Sequence, residues 1–317
     1  MLLGARPDVF LPRVLVTGAN GLVGQAVVRR LGRWPGADLL ATGRRAAYAA
    51  SDLSGGYTAL DVRDAAAVER TFQDFAPSVV VHCAGTAQVE ACEADREACW
   101  ALNVDATAVL AAACRRHGAR LVLLSTDFVF SGAAGPNEET DRPDPTGTYG
   151  RTKLAAENAV RQVRPPAWAV VRTTLVYGAP EGADVRLDLV RWLVRELTAG
   201  RPVRVASDQW RTPTCDDDLA DGVARVVFGG KTGLFHVAGR ELVTPHDVAH
   251  QVADVFGLDR GLISAATTAE LHPGAPRPLR GGLLILRAES ELGYRPRPLP
   301  ERLAEVRERL AEATRTR

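Results

Sequence analysis

Short apolar runs alternate with segments of helical periodicity over roughly the first 180 residues. Val14 to Val16 is a β-branched run of strand length, and apolar residues recur at helical spacing from Leu22 to Leu31. Further strands are predicted at 38–42, 78–82, 121–124 and 168–173, with a helix over about 149–163 before the last of them. Alternating strands and helices are typical of βαβ units. The pattern predicts an α/β protein built on a doubly wound parallel sheet.

Beyond Pro180 the alternation becomes less regular. Periodicity predicts a helix over 185–199, strands over 203–206 and 233–237, and a charged helix over 299–314. Thr244 followed by Pro245 is typical of a helix start, and we expect Thr214 to cap the helix that follows it. This region is expected to form a small C-terminal lobe beside the sheet.

Length and charge narrow the class of protein. The chain has 317 residues, with 39 Lys and Arg against 38 Asp and Glu. A net charge of +1 provides no field that attracts nucleic acid or an anionic membrane surface. No apolar run has the length of a membrane span, and residues 1–12, to which we assign no role, lack the features of a signal peptide. We therefore expect a cytoplasmic protein that acts on a small molecule.

Five cysteines stand at positions 83, 92, 99, 114 and 215 without a C-x-x-C pair. We interpret them as reduced, small apolar side chains. His82, which ends a predicted strand, has no second histidine or carboxylate at metal-ligand spacing beside it. We expect it to be a hydrogen-bonded core residue and predict no required metal. Asn103 lies in a predicted helix over 93–117 and must find partners if it is buried.

A glycine-rich turn joins the first strand to the first helix. Gly18, Gly21 and Gly24 have the spacing G-x-x-G-x-x-G. Such glycines permit a tight turn, close approach of a pyrophosphate and close helix packing, while the helix N-terminus faces the negative charge. The context predicts dinucleotide binding. A purely structural turn is the alternative.

The second predicted strand is followed by Arg44 and Arg45. Arginine at this position accommodates a 2′-phosphate, whereas an acidic residue binds the ribose hydroxyl of NAD. We therefore expect NADP(H) to be preferred over NAD(H), with a solvated arginine loop as the alternative. Asp61 follows the third strand and is expected either to meet the adenine or to cap the helix near Asp64.

Tyr149 and Lys153 are four residues apart in a predicted helix, so they share one helical face. A nearby ammonium favours phenolate and lowers the pKa of a tyrosine, usually about 10, by roughly 1 to 3 units. Thr126 ends the fifth strand, where its hydroxyl can hold a carbonyl oxygen that Tyr149 protonates. The alternative is that Tyr149 only packs and Lys153 only solvates the helix.

A loop over 131–148 covers this edge of the sheet. Candidates for contacts with a substrate are an amide near the fourth strand and aromatic or basic side chains of the C-terminal lobe: Gln88, Trp210, Arg211 and Arg277. Each is equally consistent with packing or with a solvated surface.

Four motifs carry a resemblance to a known family: TGANGLVG, STDFVF, YGRTKLAAE and DQWRTPT. Over about residues 13–310 the chain resembles extended short-chain dehydrogenases, and within them the dTDP-4-dehydrorhamnose reductase group. It is similar also to the regulatory β subunit of methionine adenosyltransferase. The resemblance implies an NADP-binding Rossmann domain over 13–178 with parts of 203–240, and a substrate-binding lobe over 179–202 and 241–317.

The resemblance also implies residue roles. Tyr149 is then the acid, Lys153 binds the nicotinamide ribose and lowers the pKa of the tyrosine, and Thr126 positions the carbonyl. The implied cofactor contacts are Gly18, Asn20, Gly21, Leu22, Val23, Gly24, Arg44, Arg45, Asp61, Val62, Cys83, Ala84, Gly85, Tyr149, Lys153 and Thr174. Two departures leave the substrate open: Leu175 stands where relatives often have tryptophan, and Arg211 stands where they have glycine.

Three functions follow as hypotheses. The first is an NADPH-dependent reductase of a keto group on a nucleotide-linked sugar. The second is a non-catalytic regulatory subunit that binds NADP and acts through a protein partner. The third is a nucleotide-sugar epimerase or dehydratase, although a dehydratase is expected to have an Asp-Glu pair where Asp127 is followed by Phe128. A homodimer is compatible with each hypothesis.

Overall fold

The computed structural model describes residues 12–50, 53, 55–163, 167–182 and 185–315. Residues 1–11 of the N-terminal extension lie outside the described residues. Among the described residues, no helix combines the length and apolar character needed to cross a bilayer.

Seven parallel strands form the main sheet in the order β10-β6-β5-β4-β1-β2-β3. The strands of the described chain are β1 (Arg13–Thr17), β2 (Asp38–Gly43), β3 (Gly56–Ala59), β4 (Val79–His82), β5 (Arg120–Thr126), β6 (Trp168–Thr173), β7 (Val176–Tyr177), β8 (Val203–Ala206), β9 (Thr214–Cys215), β10 (Gly233–His236) and β11 (Ile263–Ala266). The strand order reverses direction between β1 and β4, where a doubly wound sheet opens a crevice at its carboxyl edge. The predicted fold class is confirmed.

Helices flank this sheet and build the C-terminal lobe. Their bounds are α1 (Leu22–Gly32), α2 (Ala65–Phe75), α3 (Val89–Ala94), α4 (Arg96–Trp100), α5 (Ala106–His117), α6 (Thr148–Val160), α7 (Leu189–Thr198), α8 (Asp216–Phe228), α9 (Pro245–Phe256), α10 (Thr268–Leu271) and α11 (Leu299–Arg315). The helix that begins at Leu22 and the helix that carries Tyr149 are both present where the pattern predicts them.

Two helix predictions are wrong in detail. The single helix over 93–117 is interrupted at Asp95, whose carboxylate caps α4, and then passes through a π-helical turn at Ala101–Asp105 before α5. Thr214 does not cap α8, because it lies in β9 and its hydroxyl donates to the Thr174 carbonyl. Cys215 takes the N-cap position of α8 instead.

The apolar run of β1 is continuous because both faces of the sheet are covered. Val14 and Val16 belong to the cluster under α1 and α8, whereas Leu15 belongs to the cluster under α2, α5 and α6. All three side chains are fully buried. Burial on both sides fixes the strand ends, and with them the residues at the carboxyl edge.

The C-terminal lobe has its own apolar cluster, formed by α7, α9 and α11 with the small parallel sheet of β8 and β11. Thr244 begins α9 with a capping box to Asp247, and Pro245 occupies the first turn, which confirms that prediction. Two segments of the lobe, 207–212 and 278–284, reach back to the main sheet. The amide of Trp210 donates to the Leu279 carbonyl, and that of Arg280 donates to Gly132.

The expectation of five reduced cysteines is wrong for two of them. Cys92 and Cys99 form a disulfide between α3 and α4. The bend at Asp95 brings the two short helices side by side, which the sequence spacing did not indicate. The disulfide belongs to the small apolar cluster that contains Tyr149.

Candidate active site

The glycine turn after β1 is packed against the turn after β4. Gly18 has φ of +70°, and a Cβ there would lie 2.5 Å from the Ala84 nitrogen. A Cβ on Gly24 would lie 2.1 Å from the Gly18 carbonyl oxygen. Packing alone therefore requires these two glycines.

Gly21 has a different environment. It is exposed at the N-cap of α1, makes no side-chain cap, and a Cβ there would meet nothing closer than 3.4 Å. The first amides of α1, including those of Leu22 and Val23, thus lack a side-chain acceptor. Open amides at a helix N-terminus bind anions. The turn therefore fits the pyrophosphate of a dinucleotide, with room for it above Gly21.

Asn20 organises the loop that carries the two arginines. Its Oδ1 accepts from the Ala49 amide at 2.7 Å, and its Nδ2 donates to the Tyr57 hydroxyl at 3.0 Å. The Tyr57 hydroxyl donates in turn to the Arg45 carbonyl at 2.7 Å. Arg44 and Arg45 are exposed beside this arrangement. Sequence reasoning missed Tyr57, whose only signal is an aromatic residue in the short third strand.

Asp61 and Val62 follow β3. The Asp61 carboxylate binds the Arg63 guanidinium at 2.6 Å, and these hydrogen bonds lower its pKa to about 2, with the charge of Arg44 contributing. Asp64, and not Asp61, caps α2. Val62 is buried in the core. The Asp61 carboxylate is therefore already paired with Arg63, and its contact with an adenine stays a prediction.

His82 is the core residue that the sequence predicted. Its ring bonds to the hydroxyls of Thr17 and Thr107 at 2.7 and 3.1 Å. Burial, with the nearby charge of Lys153, lowers its pKa to about 3, so it is neutral. The turn Cys83 to Gly85 follows directly.

Asn103 finds the partners that its burial requires. Its Oδ1 accepts from the Thr86 amide at 2.9 Å, and its Nδ2 donates to the Thr86 carbonyl and to the Thr152 hydroxyl at 3.1 and 3.0 Å. The amide therefore fixes the turn after β4 to Thr152, the residue immediately before Lys153, a connection that the sequence did not predict.

Thr126 and Tyr149 come together at the end of β5, and Lys153 lies one helical turn further along α6. Tyr149 and Lys153 are 8% and 7% exposed on α6. The phenol of Tyr149 is hydrogen-bonded to the Thr126 side chain. The Thr126 Oγ1 also accepts from the Phe128 amide at 3.2 Å, which fixes its rotamer. An acid and a second hydroxyl therefore face the same point.

The predicted lowering of the pKa of Tyr149 is wrong for this structure. The pKa is raised to about 12, chiefly because the buried phenolate loses its solvation; the bond to Thr126 opposes this effect, and the Asp127 carboxylate adds to it. The expectation considered only Lys153. A phenol with this pKa is fully protonated at neutral pH and can serve as a proton donor.

Lys153 is a buried ammonium, and within the described part of the chain it makes no hydrogen bond or ion pair. Burial lowers its pKa to about 8, with Glu157 and Cys83 opposing the shift. Its charge acts on His82 and Cys83, so it lies towards the turn after β4. Buried donors without partners fit ligand hydroxyls such as those of a nicotinamide ribose. The buried Thr174 hydroxyl also lacks a partner.

Glu157, one turn after Lys153, holds α6 to two strands. Its Oε1 accepts from the Ser125 hydroxyl at 2.6 Å, and its two oxygens accept from Arg172 at 2.9 and 2.7 Å. The carboxylate and the Arg172 guanidinium are both buried. Sequence reasoning missed this network, although the glutamate stands in YGRTKLAAE.

The four substrate candidates have different surroundings. Gln88 is exposed at the N-cap of α3, and Trp210 is 40% exposed. Arg277 binds Glu90 through its guanidinium. Arg211 requires a correction, because its side chain is 2% exposed and donates to the carbonyls of Trp210 and Pro278. A guanidinium bound in this way does not face a substrate phosphate.

The side chains of Cys215, Asp216 and Asp217 lie close enough together to share a metal ion. Arg309 donates to both carboxylates, and Arg29 donates to Asp217 at 2.7 Å. Guanidinium groups therefore neutralise these carboxylates. The absence of a required metal stays a prediction.

The family model described as the RmlD substrate binding domain matches residues 12–312. The chain belongs to this family. The resemblance indicated by STDFVF and YGRTK is thereby confirmed.

The relatives of this RmlD-family chain include proteins named as reductases and one named as a methionine adenosyltransferase subunit. A dTDP-4-dehydrorhamnose reductase from Streptomyces griseus is 35% identical over 273 residues, which cover 84% of each protein. Methionine adenosyltransferase 2 subunit beta from Danio rerio is 32% identical over 296 residues, covering 90% of this chain and 87% of that protein. The crystal structure of a dTDP-4-dehydrorhamnose reductase from Clostridium acetobutylicum superposes with a TM-score of 0.82 at 29% identity, covering 94% of this chain and 99% of that one.

Proposed function

We propose that the protein is an NADPH-dependent reductase of a keto group on a nucleotide-linked sugar, with Tyr149 as the proton donor. The reductase names of the relatives support this class of reaction. The observation that carries the proposal is a path of contacts from the glycine turn to the acid. Gly18 packs on Ala84, the neighbouring Cys83 is close to the charge of Lys153, and Tyr149 on the same face of α6 bonds to Thr126.

The chain's own residues account for binding and for the proton. When bound, the reduced nicotinamide supplies the hydride that the ketone carbon accepts. Thr126 donates a hydrogen bond to the carbonyl oxygen, and Tyr149 transfers its phenolic proton to that oxygen as negative charge develops. Lys153, which lies towards the turn after β4, binds the ribose hydroxyls of the cofactor. The raised pKa of Tyr149 keeps the proton available across neutral pH.

NADP(H) is the proposed cofactor because two exposed arginines stand at the end of β2, where a 2′-phosphate would lie. The bonds from Asn20 and Tyr57 to this loop limit its freedom before the cofactor binds. Asp61, which would disfavour the phosphate if it were unpaired, is neutralised by Arg63.

The C-terminal lobe is proposed to bind the nucleotide-sugar. Trp210 presents an exposed aromatic ring at the edge of the site, and Arg277 and Gln88 lie on neighbouring segments. The division into an NADP-binding domain and a substrate lobe stays a prediction, as do the cytoplasmic location and a homodimer.

A regulatory function is the second candidate, favoured by the similarity to the Danio rerio β subunit. In that case the same pocket would bind NADP without turnover, and a protein partner would respond to its occupancy. The buried, unpartnered Lys153 suits cofactor binding in both functions, so turnover must decide between them.

The deciding experiment incubates the protein with NADPH and a panel of dTDP- and UDP-linked 4-keto sugars, and follows the loss of NADPH absorbance. Oxidation of NADPH with one or more sugars, and formation of the corresponding hydroxyl sugar, is the expected result. NADPH binding measured by fluorescence without turnover on the whole panel would favour the regulatory function.

A further inference from the structure

Besides the buried pair of Glu157 and Arg172, a second buried ion pair joins the end of β5 to the C-terminal lobe. Asp127 follows Thr126 directly and is 1% exposed, and Arg211 lies in the 207–212 segment and is 2% exposed. The Arg211 Nε lies 3.6 Å from the Asp127 Oδ2. Removing either charge would leave the other buried without its partner, which is strongly unfavourable.

The remaining donors of Arg211 are used within the lobe. Its Nη1 donates to the Trp210 carbonyl at 2.7 Å, and its Nη2 donates to the Pro278 carbonyl at 2.7 Å and to the Gln209 side chain at 3.2 Å. The Gly282 amide reaches the Asp127 Oδ2 at 3.4 Å. The pair is therefore enclosed by both lobe segments, 207–212 and 278–284.

Gly281 lies against the ion pair, and its lack of a side chain leaves room for both charged groups. A Cβ on this residue would lie 2.5 Å from the Arg211 Nη1 and 2.7 Å from the Asp127 Oδ2. The backbone of the lobe thus passes against both charged groups, and a larger residue would force them apart.

Two sets of contacts lead from Arg211 to Tyr149. In the first, Asp127 accepts from the Thr126 hydroxyl at 3.3 Å, and Thr126 bonds to the phenol of Tyr149. In the second, the guanidinium lies over the Phe128 ring, 5.4 Å from its centroid, and Phe128 meets Tyr149 edge to face at 5.5 Å. The first set of contacts reaches Tyr149 through Thr126, and the second reaches it through Phe128.

We propose that Arg211 is a positioning residue of the reductase, which holds Asp127, Thr126 and Phe128 so that Tyr149 faces the substrate when the lobe is in place. The inference rests on the proposed function, since it takes Tyr149 as the acid. It gives a role to Arg211, which stands where the sequence comparison with the reductase group expects glycine. Arg211 also neutralises Asp127, the carboxylate that acts on the phenol, so its loss would disfavour the phenolate.

Other charged groups stand on the elements around Tyr149. These are Lys153 on α6, Glu90 and Glu93 on α3, Arg96 and Glu97 on α4, and His272 and Arg277 before the 278–284 segment. Glu90 is paired with Arg277 and His272, and Glu93 accepts from Thr148. Asp127 is the charged group that acts on the phenol, so a change at Arg211 is transmitted through it.

The first test needs no substrate. Amide hydrogen exchange is compared in Arg211→Met and in Arg142→Met, a control at an exposed arginine of the 131–148 loop. In Arg211→Met we expect faster exchange at Phe128 and Gly282, whose amides bond to Thr126 and Asp127. The control should exchange as the wild type does. Unchanged exchange at both amides in Arg211→Met would overturn the proposal.

The second test is the pH dependence of turnover in the direction of alcohol oxidation, with NADP⁺ and a dTDP-linked hydroxyl sugar, where Tyr149 must lose its proton. In Arg211→Met, kcat should fall roughly tenfold or more while KM for the cofactor changes less than about twofold. The midpoint of the rise in rate should move to higher pH by about half a unit or more, since the Asp127 charge is no longer neutralised.

Two further variants keep this result interpretable if Arg211→Met folds poorly. Arg211→Lys retains the charge, so its midpoint should lie close to that of the wild type. Asp127→Asn combined with Arg211→Met removes both charges and should likewise return the midpoint to that of the wild type. A midpoint in Arg211→Met that equals those of Arg211→Lys and the double variant, with a lower rate at every pH, would contradict the proposal. Absence of turnover in the wild type would contradict the proposed function instead, and the exchange experiment would still test the pair.

Discussion

Two buried carboxylate–guanidinium pairs flank the candidate acid, and they differ in what they connect. Glu157 and Arg172 form a two-point contact at 2.7 and 2.9 Å between α6 and β6, inside the core of the main sheet. Asp127 and Arg211 make a single 3.6 Å contact between the end of β5 and the C-terminal lobe. The first pair fixes the helix that carries Tyr149 and Lys153. The second pair can form only when the C-terminal lobe packs against the end of β5.

This difference teaches that equal burial does not mean an equal role. A pair within one apolar core mainly determines where the helix of Tyr149 lies, and its loss should lower the free energy of unfolding. The loss of a pair that joins two parts of the molecule should lower turnover more than it lowers the free energy of unfolding. Substitutions around Tyr149 separate these two effects.

The largest effect is expected from Tyr149→Phe, which alters neither pair. Turnover should fall by roughly two to four orders of magnitude, because the proton donor is lost. The affinity for NADPH and the free energy of unfolding should change little. Initial rates, cofactor fluorescence and urea unfolding measure the three quantities. Turnover near that of the wild type would remove Tyr149 from its assigned role.

Glu157→Leu breaks the first pair. We expect the free energy of unfolding to fall by about 3 to 5 kcal/mol, because Arg172 is left as an unpaired buried charge. Urea unfolding of this variant, compared with Glu157→Leu combined with Arg172→Met, measures the effect. The double variant should recover much of the loss. If it is no more stable than the single variant, the cost does not come from the unpaired guanidinium.

Lys153→Met tests the cost of burying the ammonium on α6. The pKa of Lys153 is lowered to about 8 in the folded protein from its usual 10.5, so the unfolded chain binds the extra proton between these values. The stability of the wild type should therefore rise as pH increases through this window, relative to the variant. At pH 7 the variant should be more stable by about 1 to 3 kcal/mol. Urea unfolding at several pH values measures the difference, and equal stability of the two proteins at pH 7 would contradict the assigned burial cost.

The smallest effect is expected far from both pairs, at the cofactor loop. Replacing Arg44 and Arg45 together with Ala should weaken NADPH binding by about 1 to 3 kcal/mol while changing NADH binding much less, because only NADPH has the 2′-phosphate. Fluorescence titration with each cofactor provides the comparison. Similar losses for both cofactors would refute the proposed phosphate site.

The strands, the glycine turn and the helix of Tyr149 could be predicted because each depends on local pattern. Val14 to Val16, Gly18 and the Tyr149 to Lys153 spacing carry their information within a few residues. The pKa of Tyr149 could not be predicted, since it depends on burial and on Asp127, whose position follows from how β5 meets the lobe. Arg211 gave the wrong impression for the same reason, because an arginine in a loop usually faces solvent.

The other missed features also depend on contacts between distant parts of the chain. Glu157 meets Arg172 only after α6 packs on β6, and Tyr57 reaches Asn20 only when β3 pairs with β2. Cys92 and Cys99 are close in sequence, but their pairing depends on the break at Asp95, which interrupts an otherwise continuous helical pattern.

The π-helical turn at Ala101–Asp105 determines which side of the preceding helix, α4, faces the core. One additional residue in a helical turn rotates the preceding segment by about 100° relative to a continuous α-helix. Asn103 can therefore face inward while Trp100, just before the turn, remains 46% exposed. Deleting one residue here would bring the two segments back into a common phase, and α4, with its half of the disulfide, would turn away from Tyr149.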